Sequence, residues 1–343
     1  MIKKIIVSTI TIFLTLAISG CSSEEKNEQL SRTEIFMGTP IKLTLYNESD
    51  EDILDKAFEK VSEIENTLSI NKPGTELDEL NEKSGESPVK LSEMSYDVIK
   101  KAIEYSKLSD GGYDVTIGPL IKLWSIGLPE AKVPTQEEIN EVIKLIDYSN
   151  IEVNDSNREV FLNKKGMIVD LGSIAKGYAA DELVKLLKDE GVEKAIIDLG
   201  GNIYALGSKE ENKNWRIGIQ NPFDNRGNVV GTIDVSNKSV VTTGIYERFI
   251  EKDGKKYHHI LNPKTGYPYE TNIAGVSIIT DYSIDADALS TLVFTKGLEE
   301  GLKFVNELEN IEAIFITNEK EIYTTEGIKN NFNIINEEFK LCN

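Results

Sequence analysis

Two hydrophobic periodicities alternate along this chain, and they predict a mixture of helices and strands. Apolar residues at Ile53, Leu54, Ala57, Phe58, Val61, Ile64 and Leu68 fall on one face of a helix over residues 51–68. The same spacing recurs over 92–108, where Ser92 is placed to cap the first turn with Ser95. Thr135-Gln136-Glu137-Glu138 opens a third helix, over 135–145, in the manner of a capping box. A fourth is expected over 174–190, with Ala175, Ala179, Leu183, Leu186 and Leu187 on its apolar face and Gly191 as its stop. Helices over 286–294 and 298–309 follow.

The strands read by alternation or as short apolar runs between turn residues. Residues 41–46 alternate; 151–153, 160–162 and 167–169 are short apolar runs. Strands dominate from 195 to 279, with turns at Asn221-Pro222, Asn225-Arg226-Gly227 and Lys252-Asp253-Gly254, and 313–317 closes as a strand. There is no low-complexity segment, solenoid period or flexible interdomain linker. The pattern predicts a compact α+β unit of mixed sheet and helix, in one or two lobes.

The beginning of the chain adds a cellular address. Lys3 and Lys4 precede an almost wholly apolar run over 5–18, which has the length of a signal-peptide core and is short for a bilayer span. Ile18-Ser19-Gly20-Cys21 then resembles a bacterial lipoprotein cleavage box. The expectation is a signal peptide over 1–20, a lipid-carrying Cys21, a polar tether over 21–31 and a folded domain over 32–343, anchored on the extracytoplasmic face of a cell membrane. The competing reading is an ordinary signal or membrane anchor with a chance cysteine. Of the two cysteines, Cys342 then has no partner within the chain, so the domain relies on its core rather than on disulfides.

Charge narrows the function classes. The formal net charge of −20 argues against nucleic acid and against direct docking on anionic lipid. With two histidines and no Cys/His cluster, zinc is not expected. An acidic protein that handles an anionic ligand needs a local cation, a first hint of a bound metal.

Three runs carry chemistry. Asp170-Leu171-Gly172-Ser173-Ile174-Ala175-Lys176-Gly177-Tyr178 comes straight from a strand and opens a helix, where free N–H groups and the positive helix end suit phosphate. It serves equally as a strand-to-helix turn capped by Ser173. Asp287 and Thr291 are four residues apart on a predicted helix and share a face, a carboxylate and a hydroxyl suited to Mg²⁺ or Ca²⁺. The alternative is an acidic first turn complementing the helix dipole. His258 and His259 precede the tight turn Asn262-Pro263-Lys264-Thr265-Gly266, which makes a general base one reading and a packing role another. Gly112-Tyr113-Asp114 and the run from Val241 to Arg248 fit a ligand wall, though their aromatics also fit a core.

Taken in order, these runs resemble the ApbE family of FAD:protein FMN transferases. The likeness extends over nearly the whole mature chain: Phe36-Met37-Gly38-Thr39, Leu68-Ser69-Ile70-Asn71, Gly112-Tyr113-Asp114 with Gly118-Pro119-Leu120, Asp170 to Gly177, Asp198-Leu199-Gly200-Gly201-Asn202, Thr243 to Arg248, His259 to Gly266, and Asp287 to Thr291. The resemblance implies an ApbE-like, T-fold-related architecture. It implies an FAD site of Met37, Asn71, Gly112, Tyr113, Asp114, Asp170, Lys176 and Leu261. It implies Mg²⁺ held by the Ser173 carbonyl, Asp287 and Thr291, and His259 as the base with His258 as its non-catalytic neighbour. Asn262 departs from the Asp of many members, and Asn71 from the aromatic residue of some, which leaves that flavin wall less able to stack.

The implied reaction is Mg²⁺-dependent phosphoryl transfer. A Thr or Ser hydroxyl of an exported or membrane flavoprotein, part of an electron-transfer chain, attacks the FMN-side phosphorus of FAD, and AMP leaves. An FAD pyrophosphatase would use the same metal site with water as nucleophile. A non-catalytic flavin- or solute-binding lipoprotein would share the signal but would not need Asp287, Thr291 and His259.

Overall fold

The computed structural model describes residues 29–211 and 213–342. The expected signal peptide and Cys21 lie outside the described residues. A nine-stranded sheet forms the spine. In spatial order its strands are Gln29–Phe36, Thr39–Tyr46, Ala195–Leu199, Asn202–Leu206, Lys238–Gly244, Ile273–Thr280, Glu312–Thr317, Glu321–Thr324 and Lys340–Leu341, which is also their order along the chain. Neighbours pair antiparallel except the last two. Among the described residues the first strand already includes Gln29, paired with Tyr46, three residues ahead of Arg32. The polar end of the tether thus becomes an edge strand, because the hairpin supplies backbone partners that a sequence pattern does not reveal.

Among the described residues seven α-helices accompany the sheet: α1 (Glu51–Leu68), α2 (Glu76–Glu82), α3 (Glu93–Leu108), α4 (Gly118–Trp124), α5 (Gln136–Val142), α6 (Ala175–Asp189) and α7 (Ser283–Asn306). The apolar stripe of α1 is buried at all seven predicted positions. Ser92 caps α3 by accepting from the Ser95 N–H, and Thr135 with Glu138 closes a full capping box on α5. Gly297, at φ 73° and ψ −170°, breaks α7 where the sequence pattern separates two helices.

Packing follows the period of two. Along the central strands Val241, Ile278, Ala313 and Phe315 point to one face, where they join α1, α6 and α7 in the main core. Val240, Ile279, Ile314 and Ile316 point to the other, covered by a small sheet of Trp215–Gln220, Val229–Val235 and Phe332–Ile334. The strand Ile273–Thr280 is buried at all eight positions, which is why its sequence is a continuous small and apolar run rather than an alternation. A separate small core of Leu120, Trp124, Ile139 and Leu261 lies under α4 and α5. Residues 167–169 form no strand: Ile168 makes only an isolated bridge to Ile117. That apolar run is buried because the segment passes through the core on its way to α6, with Met167 and Val169 fully covered.

Candidate active site

A cleft of about 540 Å³ opens where several chain reversals meet. Its first wall is the tip of the opening hairpin. Phe36 pairs with Thr39, leaving Met37-Gly38 as a two-residue turn with φ of 51° and 71°, the type I′ signature. The Met37 N–H donates to Glu65 Oε1 at 2.6 Å, which fixes the non-glycine residue in its left-handed conformation and its side chain in the cleft.

The loop after α3 forms the second wall. Asp114 Oδ1 accepts from the Thr116 N–H at 2.8 Å and Oγ1 at 2.7 Å, while Oδ2 accepts from the Tyr148 N–H at 3.1 Å. Burial raises the Asp114 pKa against these bonds. Tyr269 Oη donates to the Gly112 carbonyl at 2.9 Å, tying this loop to the segment after the histidines. Tyr113 is buried, and its hydroxyl accepts from Ser173 Oγ at 3.1 Å. Ser173 therefore does not cap α6, whose N-terminus has no side-chain cap; its hydroxyl is turned toward Tyr113 instead.

The strand-to-helix junction supplies the floor. Asp170 Oδ1 accepts from the Gly172 N–H at 2.8 Å; burial raises this carboxyl, opposed by that bond and by Arg248, Lys176 and Lys122. On α7, Asp287 Oδ2 accepts from the Gly177 N–H at 2.9 Å and Oδ1 lies 3.3 Å from Lys176 Nζ. In a regular helix the Gly177 N–H would close on the Ser173 carbonyl. Diverted to Asp287, it leaves that carbonyl without a backbone hydrogen bond among the described residues. Thr291, one turn past Asp287, lines the same cleft. Asp285 does not: it accepts from Tyr105 Oη at 2.6 Å and pairs with Lys101 at 2.9 Å.

The two histidines part ways at the end of the strand Lys255–His258, which His259 leaves. His258 Nε2–H donates to the Tyr269 carbonyl at 2.9 Å, and its ring meets the edge of Phe294 at 5.8 Å between centroids. His259 lines the cleft. Its Nδ1–H donates to the Arg248 carbonyl at 3.3 Å, which leaves the Nε2 lone pair free. Enclosure by the cleft walls, and next the Arg248 guanidinium, push this ring down to about 4, so it is neutral and able to accept a proton at neutral pH. Asn262 shapes the turn that follows, its Oδ1 accepting from the Lys264 N–H at 2.8 Å. Trp124 Nε1 donates to the Gly266 carbonyl at 2.8 Å and anchors that turn to the small core.

All eight residues assigned to the FAD site, the three metal candidates and His259 line this one cleft. The cleft also takes in residues to which the sequence assigns no individual role: Thr39, Gly200, Gly201 and Asn202 within the runs that carry the resemblance, Glu247 in the expected ligand wall, and Arg226 in the turn Asn225-Arg226-Gly227. Arg226 Nη2 donates to the Gly200 carbonyl at 2.7 Å, joining what had read as a surface turn to the glycine pair. Arg248, the end of the run expected to form a ligand wall, lines the cleft as well. Among the described residues no group of three or more His, Cys, Asp or Glu side chains gathers as a metal site, and no helix is long and apolar enough to cross a membrane.

An α+β fold whose cleft sets a neutral imidazole among cations and buried carboxylates has the groups of an enzyme that handles an anionic substrate with proton transfer. The chain belongs to the ApbE family, whose model matches residues 37–315. The FAD:protein FMN transferase of Klebsiella pneumoniae (strain 342) is 36% identical over 296 residues, spanning 86% of this chain and 92% of that protein. That of Treponema pallidum (strain Nichols) is 31% identical over 349 residues, spanning 97% and 96%. Among solved structures, the ApbE protein of Thermotoga maritima superposes with a TM-score of 0.80 at 30% identity, over 89% of this chain and 99% of that one. The flavin transferase ApbE from Vibrio cholerae does so with a TM-score of 0.80 at 26% identity, again over 89% and 99%. The α+β architecture implied by the resemblance is the one present.

Proposed function

We propose that this protein transfers FMN from FAD to a Thr or Ser hydroxyl of an exported or membrane flavoprotein, releasing AMP, in a Mg²⁺-dependent reaction. The observation that carries this reading is His259: a neutral imidazole with its free Nε2 in a cleft that also holds Lys176, Arg226 and Arg248. The acceptor oxygen bonds to the FMN-side phosphorus as the phosphoanhydride bond to AMP breaks. The hydroxyl proton passes to His259 Nε2. Lys176 and Arg248 offset the diphosphate charge and orient it. A diphosphate beside Arg248 also relieves the cationic push on the ring, which raises His259 toward the range of an effective base.

The metal candidates fit a hard divalent cation. The Ser173 carbonyl, spared by the Gly177 N–H, the Asp287 carboxylate and the Thr291 hydroxyl are all oxygen donors at one end of the cleft. Bound Mg²⁺ supplies charge neutralisation at the phosphoanhydride being broken. The lipobox pattern ending at Cys21 supports a lipid anchor and work at the extracytoplasmic membrane face, where acceptor proteins reside.

Incubation of the purified domain with FAD, Mg²⁺ and candidate acceptor domains, read by in-gel flavin fluorescence and AMP release, tests the proposal. Fluorescent acceptor with AMP in equal amount is expected. AMP with only free FMN identifies a pyrophosphatase instead, and neither product overturns the reading.

A further inference from the structure

Asn202 holds a donor with no partner. Its side chain is 1% exposed, yet it lines the cleft. A chain of hydroxyls fixes its orientation: Ser239 Oγ donates to Ser283 Oγ at 2.9 Å, and Ser283 Oγ donates to Asn202 Oδ1 at 2.7 Å. With Oδ1 committed to Ser283, Nδ2 turns the other way and meets no acceptor. Only one other buried side-chain polar atom among the described residues, Ser95 Oγ, is left unbonded. A buried unpaired amide is costly, and such groups are rare in folded proteins. Nothing in the fold requires an Asn here: a residue with no donor would keep the strand register of Asn202 opposite Val241.

The surroundings identify what the donor is for. Ser283 begins α7, and Asp287 lies one turn further on. Gly177 connects the two, packed against the Ser283 carbonyl and donating its N–H to Asp287. Lys176, beside it, reaches within 3.3 Å of Asp287. Asn202 therefore sits at the end of the cleft where the metal candidates and a lysine converge. A neutral donor at that place suits an anionic oxygen, to which a hydrogen bond is worth more than to a neutral one. We infer that Asn202 is a substrate-binding residue whose Nδ2 donates to a phosphoryl oxygen of a diphosphate-bearing substrate, held ready by the Ser239–Ser283 relay. This rests on the reading of FAD as substrate.

Equilibrium binding tests it without turnover. FAD and riboflavin, which lacks phosphate, are titrated into wild type, Asn202→Ala and Asn202→Asp, with thermal melting as a check of folding. Asn202→Asp keeps an acceptor for Ser283 and nearly the same volume, so it decides the matter if the alanine variant melts early. The expected result is an FAD affinity lower by about 10- to 100-fold in both variants, with riboflavin affinity unchanged. FAD bound equally by wild type and variants overturns this inference alone. An equal loss for FAD and riboflavin overturns the phosphoryl assignment. Wild-type protein that binds no FAD overturns the parent reading and this inference with it.

Discussion

Replacing Gly177 with alanine puts a methyl carbon where α6 and α7 leave no room for one. A Cβ at that position lies 2.3 Å from the Ser283 carbonyl oxygen and 2.6 Å from Ile284 Cα. Both are backbone atoms, so no rotamer change relieves the contact. Opening the closer one to 3.0 Å moves the helices apart by at least 0.7 Å. The N-terminus of α7 is not free to drift, because Asp181 of α6 accepts from the Ser283 and Ile284 N–H groups at 2.8 and 2.9 Å. Overpacking of this kind costs about 1–3 kcal/mol. It outweighs the gain in helix propensity from glycine to alanine, which is at most about 1 kcal/mol. The same shift carries Asp287 away from the Gly177 N–H it accepts from and from the Ser173 carbonyl. A misplacement approaching 1 Å costs roughly 10²-fold in rate. Single-turnover FMN transfer to an acceptor domain, with thermal melting alongside, measures both effects. A variant with wild-type transfer and an unchanged melting temperature refutes the argument that this close approach sets the site.

His259→Ala is expected to lose about 10²–10⁴-fold in transfer at saturating FAD, whereas His258→Ala loses little; a crippled His258→Ala beside an active His259→Ala sinks the base assignment. Asp287→Ala is expected to abolish transfer at ordinary Mg²⁺ with the melting transition still cooperative, and full transfer by this variant refutes the metal assignment. His259 must be deprotonated to act, so its acid limb in kcat/KM lies near pH 4 in the free enzyme. Arg248→Gln removes a cation that lowers the ring and moves the limb to higher pH, but burial is the larger cause, so the limb stays below 6.5; a downward shift contradicts the electrostatics. Cys21→Ser is expected to release the protein from membranes or block its processing without changing the activity of the soluble domain, and membrane retention of a fully processed variant counts against the anchor.

Local signals carried far in this chain and long-range ones did not. The α1 stripe, the Ser92 cap and the Thr135–Glu138 box are written within four residues of each other, and the structure reproduces them. The edge strand from Gln29 was invisible because its partners lie in the next strand, not in its own mostly polar residues. Residues 167–169 misled because burial alone makes a run apolar whether or not it joins a ladder. At the site, residues inside distinctive runs were found. Arg226 was not, because a turn sequence such as Asn-Arg-Gly has no mark that distinguishes a surface loop from one folded back onto Gly200. Asn202 was quoted within a run but given no role, since an unpaired amide is a property of packing and not of spelling.

The charge distribution bears on how a protein of net charge −20 would hold the anionic dinucleotide of the proposed function. Its carboxylates are not spread evenly with respect to the cleft. Asp114 is occupied by Thr116 and Tyr148 donors, Asp170 by Gly172, and Asp285 by Tyr105 and Lys101. Burial raises Asp114 and Asp170 against these bonds. Arg248 faces the cleft and acts on both His259 and Asp170. Asp287, buried as well, accepts from the Gly177 N–H at 2.9 Å and has Lys176 Nζ at 3.3 Å as a counterweight. Repulsion from the acidic exterior fades beyond a Debye length of about 8–10 Å, while charges enclosed in the cleft are screened much less. A substrate with its own divalent cation approaches as a partly neutralised species and so evades that repulsion. On the proposed Mg²⁺-dependent reaction, FAD affinity and not only rate is expected to rise with Mg²⁺ concentration, and equal FAD affinity with and without Mg²⁺ refutes this argument.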